Sequence, residues 1–256
     1  MRTENDDSLV DDAIETEPYD LKHEVFELMN GSLINANDYF EKLRRGYGSA
    51  QQLKSQIIDH SKKGIKALGE DNDIAEAESR YILARQSFEE LEQTFIPSDL
   101  LWQLMNDSGQ ELVELLVVLK FYPVLMDTRR VKSVQMPTLE ELSTSGITPQ
   151  MILAGNADAI SELGKMITDI AYRECFSTKE DVIALWEHWI EIAVGLRKML
   201  GQFATVYKIA IDASRRVSFR NGKRESEGFH SKLKWIDKLI AMNKRNVVEM
   251  RTGLHI

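Results

Sequence analysis

Residues 112–122, LVELLVVLKFY, are apolar on nearly every side of a helix. A helix with no polar face belongs inside a bundle, wrapped by other helices. Around it the chain keeps a 3.6-residue apolar period over long stretches. Glycine (14) and proline (5) are sparse in 256 residues, and β-branched runs are few. These features predict an all-α protein, a single-domain bundle of six or seven antiparallel helices with short connections. With 43% hydrophobic residues, the chain is long enough to bury a substantial core.

The pattern divides along the chain. Residues 1–20, MRTENDDSLVDDAIETEPYD, are acidic and nearly free of aromatics, and read as a mobile arm before a helical domain over 21–256. A first helix is expected over 38–68, weakened near Gly46 and Gly48, then a turn at GEDND and a second helix over 74–95. The chain restarts at IPSDL, with Ser98 or Asp99 as candidate cap, and Pro123 should kink or end the apolar helix. Thr148 as cap and Pro149 in the first helical position open the next helix, which runs to about Tyr172. Ser177 with Glu180 fits a capping box ahead of a long helix. SFRNGKRESEG reads as a polar loop before a final basic helix over 229–250.

Composition excludes several classes. Cys175 is the only cysteine, which rules out disulfides within the chain and cysteine-cluster metal sites. No apolar run reaches membrane-span length and the N-terminus lacks an apolar signal region, so no membrane role and an intracellular location are expected, cytoplasmic or, in a eukaryote, also nuclear. Ser-hydrolase, P-loop and Rossmann patterns are absent. A di-iron bundle needs Glu-x-x-His on two helices; the one such spacing is Glu227–His230, in the expected loop. His23, His60, His188 and His255 form no local cluster. Net charge is −9, yet from Arg197 onward 14 Lys/Arg face 5 Asp/Glu. An acidic protein with a basic end can bind a polyanion on one face, though basic residues also simply solvate helices.

Four carboxylates stand out. Glu111 and Glu114 are three apart in the most apolar helix, so they share a face. An unpaired carboxylate in a bundle interior costs several kcal/mol, so arginine, protonation or a metal ion has to compensate. Asp158 and Glu162, four apart, border the apolar stripe of Ile152, Ala159, Leu163, Met166 and Ile170. Facing each other, the two pairs would make a compact acidic site suited to one or two Mg²⁺ ions, able to position water and stabilise charge on a phosphodiester. The same spacings also occur on ordinary helices as solvated or lysine-paired groups, and spacing alone leaves both readings open.

ITPQMILAGNADAISELGKM, through Thr148, Pro149, Leu153, Gly155, Ala157, Asp158, Glu162 and Leu163, resembles a helix of the translin family, specifically the short, homo-oligomeric members of its translin-associated factor X (TRAX) branch. SGQELVELLVVLKFY resembles that family's buried helix at Gln110, Glu111 and Glu114, and HSKKGIKAL and ILARQSFEELEQTF resemble parts of its first two helices. In order, these cover most of 37–200. The C-terminal basic helix diverges, Asn156 stands where an apolar residue is usual, and Ser108 stands where the family has a further acid, with Asp107 beside it.

The resemblance implies an all-α oligomer that binds single-stranded RNA or DNA, as a homo-oligomer or with a translin-type subunit. It implies a Mg²⁺-dependent endoribonuclease site, with Mn²⁺ as the alternative ion, at Glu111, Glu114, Asp158 and Glu162. Candidate phosphate contacts near the family-like helices are Arg44, Arg45, Lys62, Lys63, Arg80 and Arg85, with a second group at Arg215, Arg216, Arg220, Lys223 and Arg224. Trp186 and Trp189 are expected in the core or an interface rather than in a base-stacking platform. Alternatives are a non-catalytic nucleic-acid-binding oligomer and a structural bundle whose basic end binds an acidic partner.

Overall fold

The apolar stretch lies in the middle of a 29-residue helix. The computed structural model describes residues 21–126, 146–172, 178–214 and 222–253, with side chains described for 31–126, 146–171, 178–202 and 229–253. The elements are α1 (Leu21–Lys66), a π-helical turn (Ala67–Asp71), α2 (Ile74–Glu92), α3 (Ser98–Met126), α4 (Pro149–Tyr172), α5 (Lys179–Ser214) and α6 (Gly222–Thr252). There is no strand among the described residues. The expected arm, Cys175, His255, Arg215, Arg216 and Arg220 lie outside the described residues, as do the side chains of His23, Lys223, Arg224 and Glu227.

The chain forms two compact units, one ending at Arg45 and one beginning at Gly46. In the first, the described residues are helical, and Arg44 pairs with Glu41 at 3.0 Å. In the second, α3 carries a buried series that includes Leu112, Val113, Leu115, Val117, Val118, Phe121 and Leu125. It packs against α2 and α4, while α5 and α6 pack against α4 and against each other. Trp186 and Trp189 of α5 are buried with Leu163, Ile236 and Leu239 in the main core. That makes them core residues, each large aromatic side chain gaining about 1.5–3 kcal/mol or more by burial. A second cluster joins Ala50, Ile57, Phe88, Leu91, Leu104, Leu112 and Met151.

Several boundaries differ from expectation for local reasons. The first helix begins 17 residues earlier than 38 and runs unbroken through Gly46 and Gly48. Gly46 is there for packing: a Cβ on it would collide with the Phe95 carbonyl oxygen. GEDND is not a simple turn. The helix widens into the π turn and stops at Asn72, which takes a left-handed conformation (φ 54°). The Tyr122 hydroxyl donates to Asn72 Oδ1 at 3.1 Å and holds that stop in place. Asp73 caps α2, accepting from the Glu76 amide, and the helix ends at Glu92 rather than Phe95.

Ser98 and Asp99 are already inside the first turn of α3. Pro123 does not end α3, which continues a further turn to Met126; Leu125, 1% exposed, anchors that turn in the core. Thr148 caps α4 as expected, accepting from the Met151 amide at 3.3 Å, with Pro149 first in the helix. Ahead of α5, Thr178 Oγ1 accepts from the Asp181 amide at 3.2 Å; Ser177 of the expected capping box lies outside the described residues. Residues 222–228, expected as loop, are the first turns of α6.

The α3–α4 crossing is tight because two glycines meet side chains or backbone of the opposite helix. A Cβ on Gly155 would stand 2.7 Å from the Gln110 carbonyl oxygen, and one on Gly109 would stand 2.5 Å from Met151 Sδ. Gly48, by contrast, faces open space. Gly155→Ala is expected to lower stability by about 1–3 kcal/mol through overpacking, despite alanine's better helix propensity. Gly48→Ala should raise it by about 0.5–1 kcal/mol. Urea denaturation midpoints of both variants check the contrast; equal shifts would contradict the tight crossing.

Candidate acidic site

Contact at Gly155 brings the α4 backbone against α3 one turn before Asp158. Asp158 and Glu162 then stand across from Glu111 and Glu114. All four line one cavity of about 430 Å³, together with Ser161 and Lys165 of α4 and Ser231, Lys232 and Trp235 of α6. Glu111, Glu114 and Glu162 also line a second groove of about 450 Å³, whose other walls include Lys62, Lys66, Glu70 and Asp169. The structure thus brings the four sequence-predicted carboxylates to one place.

Their electrostatics follow from burial in each other's company. Burial pushes the Glu114 carboxyl up to about 8, and the nearby Asp158, Glu111 and Glu162 push the same way. Burial also raises Glu111, against the pull of Lys62. It holds Asp158 above its ordinary value even though Lys232 attracts its charged form. Lys232 Nζ donates to Asp158 Oδ2 and, at 3.3 Å, to Gln110 Oε1. Lys165 Nζ donates to Glu162 Oε2 at 2.6 Å. Glu111 and Glu114 have no ion pair among the described residues.

The neighbouring family position resolves simply. Ser108 is fully buried, and its hydroxyl donates to its own helix at the Leu104 carbonyl, 2.7 Å away. Asp107 is more exposed and accepts from Lys54 Nζ at 2.6 Å, so it pairs with α1 rather than lining either groove. Asn156, buried, donates from Nδ2 to the Ile152 carbonyl at 2.7 Å, while its Oδ1 has no partner among the described residues.

Most of the basic candidates pair with acids of their own helix. Lys63 pairs with Asp59 at 2.7 Å, and Arg85 with Glu89 at 3.0 Å. Arg80 pairs with Glu76 at 2.7 Å and approaches His60. Arg44 and Arg45 lie in the other unit. Lys62 alone of the six lines the acidic grooves. Lys232 and Trp235 lie outside the segments that carry the sequence resemblance. Lys232 borders the apolar stripe of Phe229, Leu233 and Ile236, just as Asp158 borders its own, and that shared position was the available signal.

A hard cation suits this donor set in its chemistry: oxygen ligands, clustered negative charge, and a Glu114 carboxyl raised by burial and by its acidic neighbours. In their present rotamers, no three acidic or histidine side chains among the described residues converge closely enough to hold a metal ion. Holding an ion there would require changed side-chain rotamers and release of Asp158 by Lys232.

No family model and no curated protein matches this sequence. Solved structures do match. The structure of an AfC3PO–duplex RNA complex superposes with a TM-score of 0.61 at 17% identity, over 87% of this chain and 97% of that one. A crystal structure of AfC3PO gives 0.59, also at 17% identity, over 87% and 98%. The chain therefore has the helical fold of the C3PO (translin/TRAX) structures.

The raised Glu114 carboxyl makes stability depend on pH. Below its ordinary value of 4.5, folded and unfolded chains both hold the proton. Between there and about 8 only the folded chain holds it, so stability falls as pH rises, and the full loss is reached above about 8. In chelator, Glu114→Gln should flatten this slope and stabilise the protein by about 1–4 kcal/mol at alkaline pH, with little effect in acid. Urea titrations across pH test this; a parallel shift at every pH would refute it.

Proposed function

We propose that this chain binds RNA as part of an oligomer, made of its own copies or with a translin-type subunit, and hydrolyses phosphodiester bonds with Mg²⁺ or Mn²⁺ held by Glu111, Glu114, Asp158 and Glu162. The observation that carries this reading is the meeting of two carboxylate pairs, from two core helices, in a cavity where the most buried member, Glu114, makes no ion pair among the described residues. The likeness to AfC3PO, whose structure with duplex RNA is known, supports RNA as the polymer.

Each residue has a physical part to play. Glu111 and Glu114 of α3 with Asp158 and Glu162 of α4 would hold the ion through their carboxylate oxygens. Lys232, Lys165 and Lys62 stand on the rims, where their ammonium groups offset repulsion between the carboxylates and an arriving phosphate. A divalent ion bound there supplies Lewis-acid activation of water and neutralises charge developing on phosphorus. Rotation of Lys232 away from Asp158 leaves that carboxylate free to ligate and the ammonium free to meet the phosphate.

A second reading has its own support. Lys232 already neutralises Asp158, and the carboxylates as they stand do not converge on one point, which fits a binding protein with an idle acidic cavity. Labelled single-stranded and duplex RNA, incubated with Mg²⁺ or with chelator, separates the two. The catalytic reading expects Mg²⁺-dependent cleavage that Asp158→Asn and Glu111→Gln each reduce by about 100-fold or more, equivalent to about 2.7 kcal/mol of barrier. Binding without cleavage leaves the second reading, and no binding at low salt removes both.

A further inference from the structure

We infer that Trp235 is the base-stacking residue of the acidic cavity: the indole holds the nucleobase beside the phosphate that enters between Lys232 and the carboxylates. This rests on the reading of the cavity as an RNA site and names how it engages a nucleotide.

Trp235 is 46% exposed, whereas the two tryptophans of α5 are buried. At that exposure the indole forgoes nearly half of its burial gain. It lies outside the apolar stripe of α6 formed by Phe229, Leu233, Ile236 and Leu239. Instead it lines the cavity opposite Glu111, Glu114 and Asp158. Lys232 and Lys238 stand three residues to either side, on the same helix face. Residues so spaced have Cβ atoms about 5–6 Å apart, the scale of a single nucleotide.

A flat π face beside an ammonium group is the pairing that holds unstacked nucleic acid: the base stacks and the cation meets the phosphate. A protein partner fits the surroundings less well. Lysines are depleted from protein–protein interfaces, and the exposed neighbours of Trp235 include Ser231, Lys234 and Lys238, beside Asp237 and Met242. A duplex keeps its base faces stacked inside, so only single-stranded or frayed RNA can use the indole.

Fluorescence anisotropy in chelator, with labelled oligouridylate and a matched abasic oligonucleotide, tests the inference without cleavage. Trp235→Leu should weaken oligouridylate binding by about 10-fold, Trp235→Phe should retain most of it, and the abasic strand should bind wild type and Trp235→Leu alike. Trp235→Leu should leave the salt dependence of binding unchanged, whereas Lys232→Gln should lower its slope by about one. Wild-type affinity in Trp235→Leu, or a change of oligomer size in that variant by sedimentation, overturns the stacking role alone. Failure of the wild-type protein to bind any strand overturns the RNA reading together with it.

Discussion

The direct seating of α4 on α3 at Gly155 is the constraint on which the site depends. With no side chain at that position, the α4 backbone comes against the Gln110 carbonyl, and Met151 fills the space left by Gly109. Two helices that close cannot keep their flanking side chains apart. Carboxylates beside such a crossing are driven into one another's field whether or not anything neutralises them. The apolar core around Val113, Val117, Ile160 and Leu163 supplies the energy that holds them there.

Charge in the second unit is then sorted by reach. Most basic side chains of the first two helices pair with acids one turn away on their own helix, as Lys63 and Arg85 do, and such exposed pairs contribute little. The cations that matter come from elsewhere: Lys62 from the end of α1, Lys165 from α4 itself, and Lys232 from α6. Lys232 is the nearest to an internal counter-ion, yet it reaches Asp158 and Gln110 rather than Glu114. The deepest charge is left to bind a proton or an external cation.

Much of this was legible in the sequence because the signals were local. The all-apolar run named the buried helix, Thr148 and Pro149 fixed the start of α4, and the two acid spacings gave two same-face pairs whose meeting the spacing alone left open. What was not legible depends on partners distant in sequence. Gly46 looked like a helix breaker and is instead a contact with Phe95. Pro123 looked like a stop, but Leu125 packs the following turn into the core. Glycine and charge in residues 222–228 suggested a loop, though the helix that follows extends back through them. Lys232 was one lysine among many until the packing of α6 on α4 brought it to Asp158.

Glu111, Glu114 and Glu162 line both grooves. The same three charges are therefore felt from both openings, and neither groove has an electrostatic account of its own. A cation drawn to one side spends part of the attraction available on the other, and by reciprocity the second returns the same penalty to the first. An anion entering one groove does the opposite, raising the appetite of the other for positive charge. The two openings are linked sites, and what fills one sets the terms for its neighbour.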